Sequence, residues 1–365
     1  MKMYYLNFVF ENELGVIKKI KYQKKALKKR SVELKLESCI KKNIFYLNGL
    51  KINNFNNGTS LKGKILRKTN LYQILIKLSK NKYYNEIDLV YIRYIQSSYF
   101  FNNYLKFLKK LGKKIVLEIP TYPYDNEIEK ENIFTKWDKK YRLELYKYID
   151  KIVTYSDDKY IWNIPCINIS NGIDLEEIKL VEKKKHNSIN FISVSNCSFW
   201  HGIDRFLYSL LQYRKNGGKE KIKFYIVGEG TETAKLKKIV EDNIELQDIV
   251  IFYGFKIGEE LDEIYNNSDI GIGALASFRQ GTNYGSSLKG AEYCAKGIPF
   301  VLGAKDNRFI NCDFSYLVSN DESLLDIEKI IEWYKNLKIT SEEIRKYAED
   351  NLTWDKQMKK VIDNI

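Results

Sequence analysis

Histidine is nearly absent from this sequence of 365 residues, which holds only His186 and His201. The five cysteines, Cys39, Cys166, Cys197, Cys294 and Cys312, are scattered, with no CxxC pair and no Cys/His spacing suited to zinc. Structural zinc and a disulfide framework are therefore not expected. Long apolar runs are missing too. None approaches the roughly 18–20 residues that a membrane-spanning helix needs, and the opening MKMYYLNFVFENE lacks the apolar core and small-residue cleavage site of a signal peptide. The expected location is the cytoplasm. No RNA-recognition, KH, zinc-finger or helix-turn-helix signature occurs either, so nucleic acid is not an expected partner.

What is present is a globular balance, 44% hydrophobic and 30% charged, in a chain long enough for two domains of ordinary size. The net charge of +14 is uneven. Residues 1–172 hold 34 Lys and Arg against 16 Asp and Glu, whereas the remainder holds 27 against 31. All of the positive excess lies in the first half, where it creates a field that attracts phosphate-rich surfaces. Seven lysines, at 18, 19, 21, 24, 25, 28 and 29, cluster on and around the first helical segment.

Strand-like and helix-like segments alternate along the chain. In the first half, an apolar stripe over Val16–Arg30 predicts a helix, Ile87–Ile92, Lys114–Ile119 and Lys151–Thr154 read as strands, and Tyr99–Leu111 and Ile128–Ile149 read as helices. A turn at Asn171-Gly172 and a charged stretch from Leu180 to Asn187 mark a boundary. A second series then begins, with strands at Ile189–Ser195, Lys223–Val227, Ile249–Phe252, Asp269–Ala274 and Pro299–Leu302. Helical spacing separates them and continues to the end of the chain. The expectation is an α/β protein with a first domain over 1–180, a second over 181–350 and a terminal helix over 351–365.

Ligands of open parallel sheets bind beyond the carboxyl ends of the strands, where glycine admits close backbone approach and helix N-termini offer N–H groups to phosphate. Three places fit. They are Gly228-Glu229-Gly230, Gly254, and the run Gly281 to Lys289, in which Gly285-Ser286-Ser287 precedes a helical segment Leu288–Lys296. The last gathers hydroxyls, backbone amides and the Lys289 ammonium at one helix start, with Glu292 a turn further on as a hydrogen-bonding partner for a ribose. Ser286 or Ser287 as a plain helix cap is the alternative reading.

In order along the chain, Asn171-Gly172-Ile173-Asp174, Trp200-His201-Gly202-Ile203-Asp204-Arg205, Val227-Gly228-Glu229-Gly230, Tyr253-Gly254-Phe255, Ser268-Asp269-Ile270 and Leu288-Lys289-Gly290-Ala291-Glu292 resemble the GT4-type glycosyltransferases of the GT-B superfamily. Glu118-Ile119-Pro120-Thr121-Tyr122-Pro123-Tyr124 is similar to a stretch following an N-domain strand in some bacterial members. The resemblance implies two Rossmann-like, doubly wound parallel-sheet domains facing a cleft, with the C-terminal helix crossing back. It also implies a nucleotide-sugar donor, no metal and no further cofactor. Carried over by position, the donor site comprises Gly228, Phe255, Lys256, Asn283, Ser286, Ser287, Leu288, Lys289 and Glu292. Asn196 and His201 stand where the family often has an arginine and a lysine for the diphosphate, leaving Lys289 and Arg205 to meet that charge. Gly15, Glu118 and Pro120 fall on the acceptor side.

Two further departures bear on mechanism. Tyr284 replaces the first of a glutamate pair, and Thr121 or Tyr122 lies near a missing histidine, so Thr121, Tyr122 and Tyr284 are the catalytic candidates. Electrostatic stabilisation of a departing nucleoside diphosphate, with retention at the sugar, is one picture. Deprotonation of the acceptor by Glu118, Asp125 or Glu127 is the other. The expected activity is transfer of a hexose-type sugar, UDP-sugar favoured, to a glycan or lipid-linked acceptor in bacterial surface-polysaccharide synthesis, with the basic half resting on an anionic membrane face. A nucleotide-sugar epimerase of the same fold and a non-catalytic partner of other transferases are the alternatives.

Overall fold

The computed structural model describes the chain except for residues 57, 59, 81, 124, 126–130 and 284–287. It forms two compact units, Met1–Ser170 with Trp354–Ile365, and Asn171–Thr353. Residues 171–180 thus fall in the second unit, not the first. The reason is local bonding: Ile173 forms a bridge with Thr353, and the Arg345 guanidinium donates to the carbonyls of Leu175 and Ile178.

The first unit runs β1 (Lys2–Leu6), α1 (Leu14–Lys29), β2 (Glu33–Lys41), β3 (Ile44–Leu47), β4 (Leu50–Asn54), α2 (Leu61–Leu78), β5 (Leu89–Arg93), α3 (Tyr99–Lys110), β6 (Lys114–Ile119), α4 (Ile133–Tyr141), β7 (Lys151–Thr154), β8 (Tyr160–Ile161) and β9 (Ile164–Asn168). Its nine-stranded sheet has the order β4-β3-β2-β1-β5-β6-β7-β9-β8. The central strands are parallel, but β3, β4 and β8 pair antiparallel at the two edges, so the sheet is mixed. Both faces are covered: along β1, Tyr4 and Leu6 enter one apolar cluster while Met3 and Tyr5 enter the other. A strand buried on both faces reads as a continuous apolar run, as residues 3–6 of β1 do.

The second unit runs β10 (Ile189–Val194), α5 (Ile203–Lys215), β11 (Ile222–Val227), α6 (Thr233–Glu241), α7 (Ile244–Gln247), β12 (Val250–Gly254), α8 (Gly258–Asn266), β13 (Ile270–Ile272), α9 (Leu288–Lys296), β14 (Phe300–Leu302), β15 (Ser315–Leu317), α10 (Ile327–Asn336) and α11 (Ser341–Asn351). All of its strand pairs are parallel, in the order β12-β11-β10-β13-β14-β15. That is the doubly wound nucleotide-binding order, in which the chain reverses direction across the sheet between β10 and β13. The last helix, α12 (Trp354–Asp363), returns to the first unit, where Trp354, Met358 and Val361 join Ile20 and Leu27 of α1 in one apolar cluster.

Candidate functional site

The reversal between β10 and β13 puts the loops after β10, β11 and β12 and the start of α9 at the carboxyl edge of the second sheet. Those loops are packed on one another. Gly228 has a φ of +107°, and a Cβ there would lie 1.9 Å from the Ser195 carbonyl; at Gly230 it would lie 1.6 Å from the Asn196 carbonyl. Only glycine lets the β11 loop seat against the β10 loop. Packing of the two loops on each other is by itself enough to require glycine at both positions of the Gly-x-Gly turn. Beneath it, Cys197 is fully buried, its N–H donating to Ser195 Oγ at 3.2 Å.

His201 is buried at the head of α5, and the Ser198 N–H donates to its Nδ1 at 3.1 Å. An Nδ1 that accepts leaves the proton on Nε2, so the ring is a neutral donor. Burial, reinforced by the Lys289 charge, holds its pKa down at about 3. Lys289, on the first turn of α9, is the most unusual group of the unit. Its Nζ is shielded from solvent and makes no hydrogen bond among the described residues. Burial pushes the ammonium down to about 7, against the weaker pull of Cys197 and Glu292. An unpaired buried cation is costly, and such departures from good packing concentrate where a ligand completes the set. Glu292 is held one turn away, accepting from the buried Tyr265 hydroxyl at 3.1 Å.

Other expected donor residues divide. Asn196 is exposed and accepts from Ser198 Oγ; Phe255 and Leu288 are exposed; Lys256 pairs with Glu260 at 2.7 Å. Asn283 is tied through its side-chain oxygen to Asn320. Tyr284, Ser286 and Ser287 lie outside the described residues. Arg205 does not face the donor, contrary to the expectation from sequence. Its guanidinium is buried and spent on the carbonyls of Leu275, Ser319 and Ser323, the Ser319 hydroxyl and an ion pair with Asp321. It anchors the loop before α10 and has no capacity left for a diphosphate.

In the first unit, Glu118 at the end of β6 is fully buried. Arg93 and the Tyr155 hydroxyl donate to one carboxylate oxygen at 2.7 and 3.0 Å, the Tyr91 hydroxyl and Gln23 to the other, and Lys19 lies 3.8 Å away. Burial drives this carboxyl up, but Arg93, Lys19 and the two hydroxyls together outweigh it and hold it below the usual range. A carboxylate so encased is a structural counter-ion and cannot act as the base considered from the sequence. Asp125 is likewise occupied, by a two-pronged bond to Arg142 at 2.9 and 2.7 Å. Glu127 lies outside the described residues. Gly15 is within the first turn of α1 and not in a loop, Pro120 and Thr121 follow β6, and the Tyr122 ring meets Trp162 edge-on.

A cavity of about 490 Å³ opens in the first unit at the carboxyl ends of β1 and β5. Lys64, Arg67 and Lys68 of α2 reach it, together with Arg93. The sequence reading passed over this helix, although basic residues at i, i+3 and i+4 share one helix face and were a readable signal.

Residues 174–350 match the family described as glycosyl transferases group 1. The alpha-monoglucosyldiacylglycerol synthase of Streptococcus pneumoniae is 29% identical over 147 residues, covering 36% of this chain and 33% of that protein. The chain thus matches about a third of that relative's length. A glycosyltransferase from Rickettsia africae superposes with a TM-score of 0.60 at 15% identity, covering all of this chain and 96% of that one. The sucrose-phosphate synthase of Thermosynechococcus elongatus does so at 0.59 and 13%, covering all of this chain and 98% of that one. The structural likenesses establish the two-domain GT-B fold.

Proposed function

We propose that this chain, whose residues 174–350 match the glycosyl transferases group 1, is a transferase of GT4 type that moves a hexose-type sugar from a nucleotide-sugar to a glycan or lipid-linked acceptor. The observation that carries the reading is the buried Lys289 ammonium, without a hydrogen-bond partner among the described residues, beside neutral His201 and Glu292 at the carboxyl edge of a sheet in nucleotide-binding order. In this reading the diphosphate takes its counter-charge from Lys289 and a hydrogen bond from the His201 Nε2–H, while Glu292 accepts from the ribose hydroxyls. Phe255, exposed beside the β12 turn, offers its ring to the base. UDP is the favoured nucleotide.

Chemistry follows from that placement. As the bond from the anomeric carbon to the diphosphate oxygen breaks, negative charge grows on the leaving group, and donors held in place by burial, Lys289 and His201, stabilise it without reorganising. The acceptor hydroxyl attacks from the face that the diphosphate leaves and passes its proton to the departing oxygen, so configuration is retained. No step calls on a metal. The saturated state of Glu118 and Asp125 favours this route over deprotonation by a protein carboxylate.

An acceptor carried on a lipid accords with the name of the pneumococcal relative and with the basic first half. Among the described residues no helix is long and apolar enough to cross a membrane, and the reading is attachment at an anionic surface. Of the seven lysines on α1, Lys18, Lys21, Lys28 and Lys29 are exposed, whereas Lys19 and Lys24 turn inward toward Glu118 and Glu37.

Calorimetric titration with UDP-, GDP-, dTDP- and CMP-sugars tests the donor site. Binding of one class, weakened at least about tenfold by Glu292→Ala through loss of its hydrogen bonds, is the expected result. Heat from none of them defeats the reading.

A further inference from the structure

The cavity at the carboxyl ends of β1 and β5 has a charge pattern that its own protein groups leave unbalanced. In the first sheet β1 has β2 on one side and β5 on the other, so this cavity occupies the place where an open parallel sheet presents its ligands. Phe8, Phe55, Leu71 and Phe134 make an apolar wall. Against it stand three cations from one face of α2. The Arg67 guanidinium lies over the rings of Phe10 and Phe55 at 4.7 and 5.8 Å. Lys68 Nζ donates to the neutral Gln96 Oε1 at 2.7 Å, and Lys64 completes the row.

Negative charge nearby is scarce or already engaged. Glu13 is the one carboxylate among the described lining residues, and it accepts from the Phe10 N–H. Arg93 is matched by Glu118. Asp138, behind Lys68, accepts from the Tyr94 hydroxyl and the Ser97 N–H and lies 3.6 Å from Arg142. Burial, then the neighbouring Arg67, lowers Lys68 to about 8. Like charges gathered on a partly buried face oppose folding, and a bound anion relieves that opposition.

We propose that this cavity binds the acceptor and that the acceptor carries a phosphate, which Arg67 and Lys68 hold while the aromatic wall takes the apolar or ring-shaped body attached to it. The guanidinium supplies a planar pair of donors and the ammonium a point charge, a combination suited to phosphate oxygens. Its role as acceptor rests on the proposed transferase reading; the anion site itself rests on the cavity alone. The phosphate belongs either to a free metabolite or to a lipid headgroup.

The test titrates the full chain with inorganic phosphate, glycerol 1-phosphate and, as a neutral control, glycerol, and measures cosedimentation with phosphatidylglycerol and phosphatidylcholine vesicles. Arg67→Gln and Lys68→Gln are compared with Lys238→Gln on the exposed face of α6, after thermal unfolding has shown that each folds. The expectation is binding of glycerol 1-phosphate but not glycerol, weakened at least about tenfold by either α2 variant and unchanged by Lys238→Gln, with Arg67→Lys recovering part of the loss. Binding confined to phosphatidylglycerol vesicles, with the same response to the variants, assigns the phosphate to a lipid headgroup. Absence of binding to every phosphate-bearing probe, or equal loss in Lys238→Gln, overturns the proposal. A UDP titration of the same samples separates the two readings: UDP binding intact in the α2 variants leaves the donor site standing. Glycerol phosphate binding without any nucleotide binding keeps the anion site and removes the transferase.

Discussion

Lys289 and His201 sit together as two donors in different protonation regimes. The Lys289 ammonium is lowered to about 7, so between pH 7 and its ordinary 10.5 the folded protein binds fewer protons than the unfolded chain. Stability from this group therefore rises with pH across that window. Diphosphate binding needs the charged form, so nucleotide affinity falls as pH climbs above 7. Titrations from pH 6 to 9 are expected to show that decline in the wild type and a flat profile in Lys289→Met. His201, held near 3, stays neutral throughout and adds no inflection near 6.5. Glu118 gives the contrasting case. Glu118→Gln leaves Arg93 and Lys19 buried without their counter-charge, and the expected cost is about 3–5 kcal/mol in denaturant unfolding. A loss under 1 kcal/mol would contradict the structural role assigned to it. Sequence spacing was sufficient to single out Lys289 and Glu292, since both lie on one short helix. It misassigned Arg205 because the groups that consume its guanidinium, Leu275, Ser319 and Ser323, are brought in from 70 to 118 residues away.

At the level of elements, the donor site depends on loops that fit because two glycines leave room. Gly228→Ala puts a Cβ onto the Ser195 carbonyl at a φ that alanine rarely adopts, with an expected cost of at least about 2 kcal/mol and weaker nucleotide binding. Thermal unfolding and titration of the one variant check both. The inner parallel strands of the second unit were readable because they are compact apolar runs buried on both faces, as in residues 224–227 and Ile270–Ile272, whereas β15 is only partly buried and was not foreseen. The segment from β2 to α2 was not read, yet β2 alternates in burial. The two tight hairpins around β3 also carry turn chemistry, with Lys42-Asn43 and Asn48-Gly49 all at positive φ. In α2 the apolar residues are spread round the helix, Ile65 and Leu66 exposed and Ile74, Leu75 and Leu78 buried, which blurs its period.

For the whole molecule, the excess of positive charge in the first half predicts a surface response to salt. The full chain is expected to sediment with anionic vesicles at low ionic strength and to be released as salt shortens the Debye length to a few ångströms, about 3 Å at 1 M. Sedimentation independent of salt would count against electrostatic attachment. The most direct test of the account compares the melting temperatures of wild type and Lys289→Met, each with and without the nucleotide-sugar that binds. Removing a buried ammonium that has no hydrogen-bond partner among the described residues is predicted to raise the melting temperature of the free protein and to abolish the rise that nucleotide-sugar produces in the wild type. A variant that melts lower than the wild type yet keeps the full nucleotide-induced rise would contradict it.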